Sequence, residues 1–179
     1  MALSIGDLAP TFELQNSNPN KGTKMMTLEQ ASGKNGLIVV FECNHCPYVI
    51  ASISRLEVMS KKAENLEIGF IGINSNDPLV YPNDSFEHME TRAQSMSYPY
   101  LHDATQDVAH AYDAKRTPEF FLFDSELKLI YRGRMDDSPR DPTLVQTKEL
   151  DDAVQAMLEG NAPPVSITES IGCSVKWKR

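Results

Sequence analysis

Two cysteines three positions apart, Cys43 and Cys46, with Glu42 before the first and His45 before the second, are the residues of this chain best suited to chemistry. The thiolate is the nucleophilic form of cysteine, and two cysteines able to join can pass two electrons to or from a partner through a disulfide. Cys43, His45 and Cys46 are also three soft or borderline metal ligands, to which a fourth could be added from elsewhere. The sequence has no second CxxC and no paired histidines. Redox exchange is therefore preferred, with no metal and no cofactor beyond the cysteine pair.

These sulfurs need a strand that ends on them and a helix that starts there. Leu37-Ile38-Val39-Val40-Phe41 is an unbroken apolar run rich in β-branched residues, the pattern of a strand buried on both faces in a parallel sheet. Pro47 suits a first helical turn, and Tyr48, Val49, Ile50, Ile53, Leu56 and Met59 recur at helical spacing to about Lys62. Residues i and i+3 of a first turn lie roughly 5–6 Å apart, within disulfide reach. The helix N-terminus is expected to face the first sulfur, making Cys43 the more acidic thiol. A protonated His45 would reinforce this and Glu42 oppose it, so both are read as redox-tuning residues.

The rest of the chain supplies a frame. Residues 8–14 alternate like a short edge strand, 16–22 are rich in turn formers, and 25–28 form the return of an N-terminal hairpin. Residues 67–73 read as a second buried strand. Asn83-Asp84-Ser85 can cap a helix to about Met96, 98–103 are a short extended piece, and a helix from Asp103 or Thr105 passes through Val108, Ala111 and Tyr112. Arg116-Thr117-Pro118-Glu119 breaks it before strand 120–123, which turns into an antiparallel strand over 127–132. A last helix spans Leu150 to Leu158.

With 179 residues, 41% of them hydrophobic, the chain suits a single domain over 1–179, with a core at about 5–160, a C-terminal tail at 161–179, and no need of a disulfide staple. A net charge of -8 argues against nucleic acid or membrane as partner, and the terminal Lys176-Trp177-Lys178-Arg179 cluster reads as a solvated tail. The first residues lack a basic, apolar leader and no window approaches a membrane span, so a reducing cytoplasm is expected. In that compartment a CxxC is redox-catalytic or metal-binding more often than structural. Cys173 is an odd thiol. It either fastens the tail, with Trp177 as a packing anchor, or serves as a third thiol that meets the pair when the tail folds back. His88, His102 and His110 are read as structural, and Tyr98, Tyr100 and Tyr112 as core or rim aromatics.

A buried strand, CxxC, helix, strand, helix, then Thr117-Pro118 entering a strand pair and a terminal helix: this order resembles the thioredoxin fold over roughly residues 5–160. The added length between Asn74 and Asp103, the opening Gly6-Asp7-Leu8-Ala9-Pro10-Thr11-Phe12-Glu13-Leu14 and the stretch 103–112 are similar to the branch that holds peroxiredoxins and TlpA-like reductases. Phe41-Glu42-Cys43-Asn44-His45-Cys46-Pro47-Tyr48-Val49 and the ending 171–178 look like a bacterial group of peroxiredoxin-like thioredoxin-family proteins. The resemblance implies an α/β fold of three α/β/α layers, with a central mixed sheet and an N-terminal β-hairpin extension. It implies that Cys43 attacks a substrate disulfide and Cys46 resolves it, and that Pro118 is cis, with the Thr117 backbone meeting the substrate chain. His45 before the second cysteine is also what DsbA-type oxidants carry. Glu42 stands where thioredoxins have Trp and Leu37 where they bury an Asp, so no general base is assigned. Aligned with the Cys-Pro of peroxiredoxins, Cys46-Pro47 puts Cys43 on that family's Thr.

The expected function is thiol-disulfide exchange between the Cys43/Cys46 pair and a protein or small-molecule disulfide, with a cellular thiol reductant as electron donor. One alternative is a peroxiredoxin-like thiol peroxidase using Cys46 or Cys43, with Arg116 as its cation. Another is a metal-binding or client-binding module. The exchange reading requires two sulfurs that can join and that a partner can reach.

Overall fold

The computed structural model describes residues 3–179. Met1 and Ala2, part of the stretch searched for a leader, lie outside the described residues. The centre is β3 (Gly36–Phe41), whose six residues are all buried. A run this apolar is kept from solvent only when both of its faces are covered. One neighbour, β4 (Ile68–Asn74), is parallel and is reached through α2 (Pro47–Asn65); the other, β7 (Glu119–Phe123), is antiparallel. Beyond β4 lie β5 (Tyr100–His102), β1 (Glu13–Asn16) and β2 (Met25–Thr27), and beyond β7 lies β8 (Leu129–Gly133). The seven-stranded mixed sheet thus runs β2-β1-β5-β4-β3-β7-β8.

Alternation along the strands sorts their side chains into two cores. Ile38, Val40, Phe70, Phe120 and Leu122 pack with α2, with α3 (Phe86–Ala93) and with α5 (Glu149–Leu158). Leu37, Val39, Phe41, Ile71, Ile73, Phe121 and Phe123 pack with α1 (Leu28–Ala31), α4 (Asp107–Tyr112) and the N-terminal residues. This is the three-layer arrangement that the resemblance implied.

Several local expectations change. The first strand begins at Glu13 rather than Leu8, and it pairs with both β2 and β5, so it is interior and the hairpin extends the main sheet. Leu8 makes only a single antiparallel bridge to Lys128, because Pro10 has no N–H to continue the ladder. The third helix ends at Ala93 rather than about Met96; of the three expected caps it is Ser85 whose side chain accepts from His88 N–H, and Asp84 lies outside the helix, buried. The four-residue α1, closed by a Thr27–Gln30 capping box, was too short for periodicity to reveal.

The tail differs most. A second, two-stranded sheet pairs β6 (Arg116–Thr117) with β9 (Cys173–Ser174). The terminal cluster is fastened as well. The N–H of Lys176 donates to Asn76 Oδ1 at 2.9 Å, its carbonyl accepts from Asp77 N–H at 2.9 Å, and the Trp177 ring stacks on His110 at 4.4 Å. The side chains of Trp177, Lys178 and Arg179 are exposed, as expected of a solvated end, while its backbone is anchored. Buried Val175 and the backbone bonds around it hold the end down.

Candidate active site

Glu42 N–H donates to Ile73 carbonyl at 2.9 Å, carrying the β3–β4 pairing one residue beyond Phe41. The chain then leaves the sheet through Cys43, Asn44 and His45, and Cys46 becomes the N-cap of α2, with Pro47 in the first helical turn. The helix start therefore faces the second sulfur. The Cys46 thiol is pushed down to about 4, first by a hydrogen bond from Cys43 and then by the Cys173 thiol and the N–H groups of Val49 and Cys173, against the opposing effect of burial. Cys43 is pushed up, by its hydrogen bond to Cys46, by burial and by the Asp84 carboxylate. The sequence placed the helix start on Cys43, whereas the structure makes Cys46 the N-cap. The helix opens at Pro47, so the orphan N–H groups and the positive dipole end fall on Cys46.

Two buried networks hold this turn. Asp84 accepts from Asn44 N–H at 2.8 Å and from the side-chain amides of Asn74 at 3.1 Å and Asn76 at 3.0 Å, and it lies 2.7 Å from His45 Nδ1. The His45 ring stacks on Tyr81 at 4.4 Å. Beneath Cys43, the fully buried Glu42 carboxylate pairs with Arg92 and accepts from the Tyr98 hydroxyl at 2.8 Å. Another nitrogen of Arg92 donates to the Cys43 carbonyl at 3.1 Å, and the Tyr100 hydroxyl donates to Asn44 Oδ1 at 2.7 Å. Gly72 makes room for this carboxylate, since a Cβ there would stand 2.5 Å from Glu42 Oε2.

The third side is the turn at Thr117-Pro118, whose peptide bond is cis. Thr117 Oγ1 lies 3.6 Å from Cys43 Sγ, and its carbonyl oxygen lies 3.3 Å from Cys46 Sγ. Cys173 stands opposite Thr117 in the β6–β9 pair, and its sulfur lies 2.8 Å from that of Cys46. All three cysteines are free thiols. The Cys173 thiol is pushed up to about 11, by burial first and then by its hydrogen bond to Cys46.

A family model described as Redoxin matches residues 4–153. The chain belongs to the Redoxin family. Two solved structures extend over nearly the whole redoxin: an uncharacterized conserved protein from Geobacillus kaustophilus, 39% identical, covering 98% of this chain and 93% of that one with a TM-score of 0.90, and a hypothetical protein from Sinorhizobium meliloti, 32% identical, covering 99% and 97% with a TM-score of 0.89. The thioredoxin domain of a thiol-disulfide oxidoreductase from Bacteroides vulgatus, 18% identical, covers 80% of this chain and 96% of its own with a TM-score of 0.58, a likeness of fold. No curated protein matches. The redoxin therefore has the thioredoxin fold, and its family supports a thiol-based redox function.

The structure brings Cys43, Cys46, Thr117, Pro118 and Cys173 of this redoxin together around one point. His45 stays beside Cys43 but is engaged with Asp84, and Glu42 lies beneath the turn paired with Arg92. Arg116 points its guanidinium at the Gly172 carbonyl, 3.4 Å away, on the tail. Cys43, His45 and Asp84 offer one ligand atom each within 4.8 Å of one another, but both Asp84 oxygens already accept amide hydrogen bonds. Sequence reasoning missed Asp84, Arg92, Asn74 and Asn76. Asp84 was read as a helix cap, and a lone Arg on an amphipathic helix carries no signal of a buried partner fifty positions away.

Proposed function

We propose that this redoxin is a cytoplasmic thiol-disulfide oxidoreductase that uses its cysteines alone, without metal or cofactor, to exchange electrons between a cellular thiol reductant and a protein or small-molecule disulfide. Cys46 is the attacking thiolate. The single observation that supports this is its place as the N-cap of α2, where free N–H groups and the positive dipole end favour a thiolate. A thiolate attacks a disulfide sulfur and expels the second sulfur as the leaving group. Two thiols, Cys43 and Cys173, stand beside Cys46 and can resolve the mixed disulfide. The test is reduction of insulin by dithiothreitol: catalysis is expected from the wild type and its loss in Cys46→Ser, and a Cys46→Ser protein as active as wild type would sink the assignment.

A second reading is supported by the same sulfur. An acidic cysteine followed by proline at a helix start also suits attack on a hydroperoxide, giving a Cys46 sulfenic acid and then a disulfide with release of water. Hydrogen peroxide consumption by reduced protein separates the two, since an exchange enzyme turns over disulfides far faster than peroxide.

A further inference from the structure

Cys46 carries the acidic sulfur, yet it is 0% exposed and Cys43 is 1% exposed. An incoming disulfide must line up with the attacking thiolate, so some part of the chain now over Cys46 has to leave. The tail stands there. Cys173 faces Thr117 in antiparallel register, Val175 N–H donates to the Lys115 carbonyl at 3.0 Å, and Arg116 reaches the Gly172 carbonyl. Gly172 is seated so closely that any Cβ would collide with the Thr117 carbonyl. The edge at residues 115–117 thus pairs with an extended segment whose cysteine touches the reactive sulfur, as in recognition of a peptide by strand addition. A two-residue ribbon is marginal by itself, so release of Cys173 turns on the anchors that follow it at Val175 and Lys176.

We infer that Cys173 is a third redox thiol on a C-terminal strand that covers Cys46 at rest, leaves to admit a disulfide, and returns to close a Cys46–Cys173 bond. This rests on the oxidoreductase reading above. The Cys46 thiolate attacks one sulfur of RS–SR′; that bond breaks, R′S⁻ departs with the electron pair, and Cys46–S–S–R forms. The tail pairs again with Thr117, and the Cys173 sulfur attacks Cys46 Sγ. The bond to R breaks, RS⁻ takes the Cys173 proton, and the Cys46–Cys173 disulfide remains. Two electrons have passed from two protein thiols to the substrate. Because the returning strand occupies the same edge, it displaces the product while it resolves it.

Reduced protein treated with one equivalent of diamide, capped and digested with trypsin, tests this. Cys43 and Cys46 share tryptic peptide 35–55, whereas Cys173 lies in 149–176, so only a bond to Cys173 joins two peptides. The joined pair is expected as an intramolecular product in wild type, to persist in Cys43→Ser and to vanish in Cys46→Ser. A Cys43→Ser protein that keeps Cys46 and Cys173 as capped thiols overturns the inference. Gly172→Ala unseats the strand and keeps every thiol. It is expected to raise the rate of Cys46 alkylation by iodoacetamide at least tenfold and to shift the emission of Trp177, the single tryptophan. An unshifted emission, or a shifted emission with unchanged alkylation, overturns the covering role. If insulin reduction depends on Cys46 while no cross-link forms, the third thiol fails and the oxidoreductase reading stands. If the cross-link forms without any turnover, that reading fails and the third thiol stands.

Discussion

Arg92 pairs through its guanidinium with Glu42, a carboxylate buried directly beneath the reactive turn, and it also holds the Cys43 carbonyl. An ion pair this deep is maintained only while both partners are present, since removing one strands the other in low dielectric. It thereby ties α3 to the end of β3.

Arg92→Met is expected to lose about 3–5 kcal/mol in urea denaturation of the reduced protein, the usual effect of stranding a buried charge. The double variant Glu42→Leu with Arg92→Met is expected to recover most of that loss. Equal losses in the single and double variants would show that the pair is not the cause.

Thiolate absorbance at 240 nm is expected to titrate with a midpoint near about 4 in the reduced wild type. Because the hydrogen bond from Cys43 is the largest lowering cause, Cys43→Ala should move that midpoint up toward the ordinary 9.0. A wild-type midpoint above 8 would refute the placement of the helix start on Cys46.

The same shift sets the sign of a stability effect. The folded value for Cys46 lies below its ordinary 9.0, so the stabilisation is fully present above pH 9 and is lost as pH falls toward about 4. The stability gap between reduced wild type and Cys46→Ser should therefore widen between pH 5 and pH 8.5, measured by urea midpoints. A constant gap would contradict the linkage.

Asp84→Ala removes the acceptor of three amide groups and the partner of His45. A buried unsatisfied donor costs about 1–3 kcal/mol, so a loss on the order of 3 kcal/mol is expected. Exchange rate should fall at least tenfold as the cysteine turn loosens. Normal kinetics in a destabilised Asp84→Ala protein would leave Asp84 with a structural role alone.

Much of the scaffold was legible because local pattern and tertiary environment agree. The run Leu37–Phe41 can be satisfied only by a two-faced burial, and the CxxC after it followed by Pro47 marks a strand-to-helix handover. Thr117-Pro118 likewise announced a break beside a strand. The N-terminal strand was harder, since alternation over residues 8–14 does not say where Pro10 interrupts pairing.

What the order of residues determined by itself was the presence of a reactive cysteine pair at the junction of a buried strand and a helix. Which sulfur is the acid was decided only in three dimensions, because a helix start that moves by three residues moves the dipole from Cys43 to Cys46. Equally, Cys173 lies 127 positions from Cys46. No local rule links positions so distant, and their sulfurs meet only because the tail pairs across Thr117 once the sheet has placed that turn.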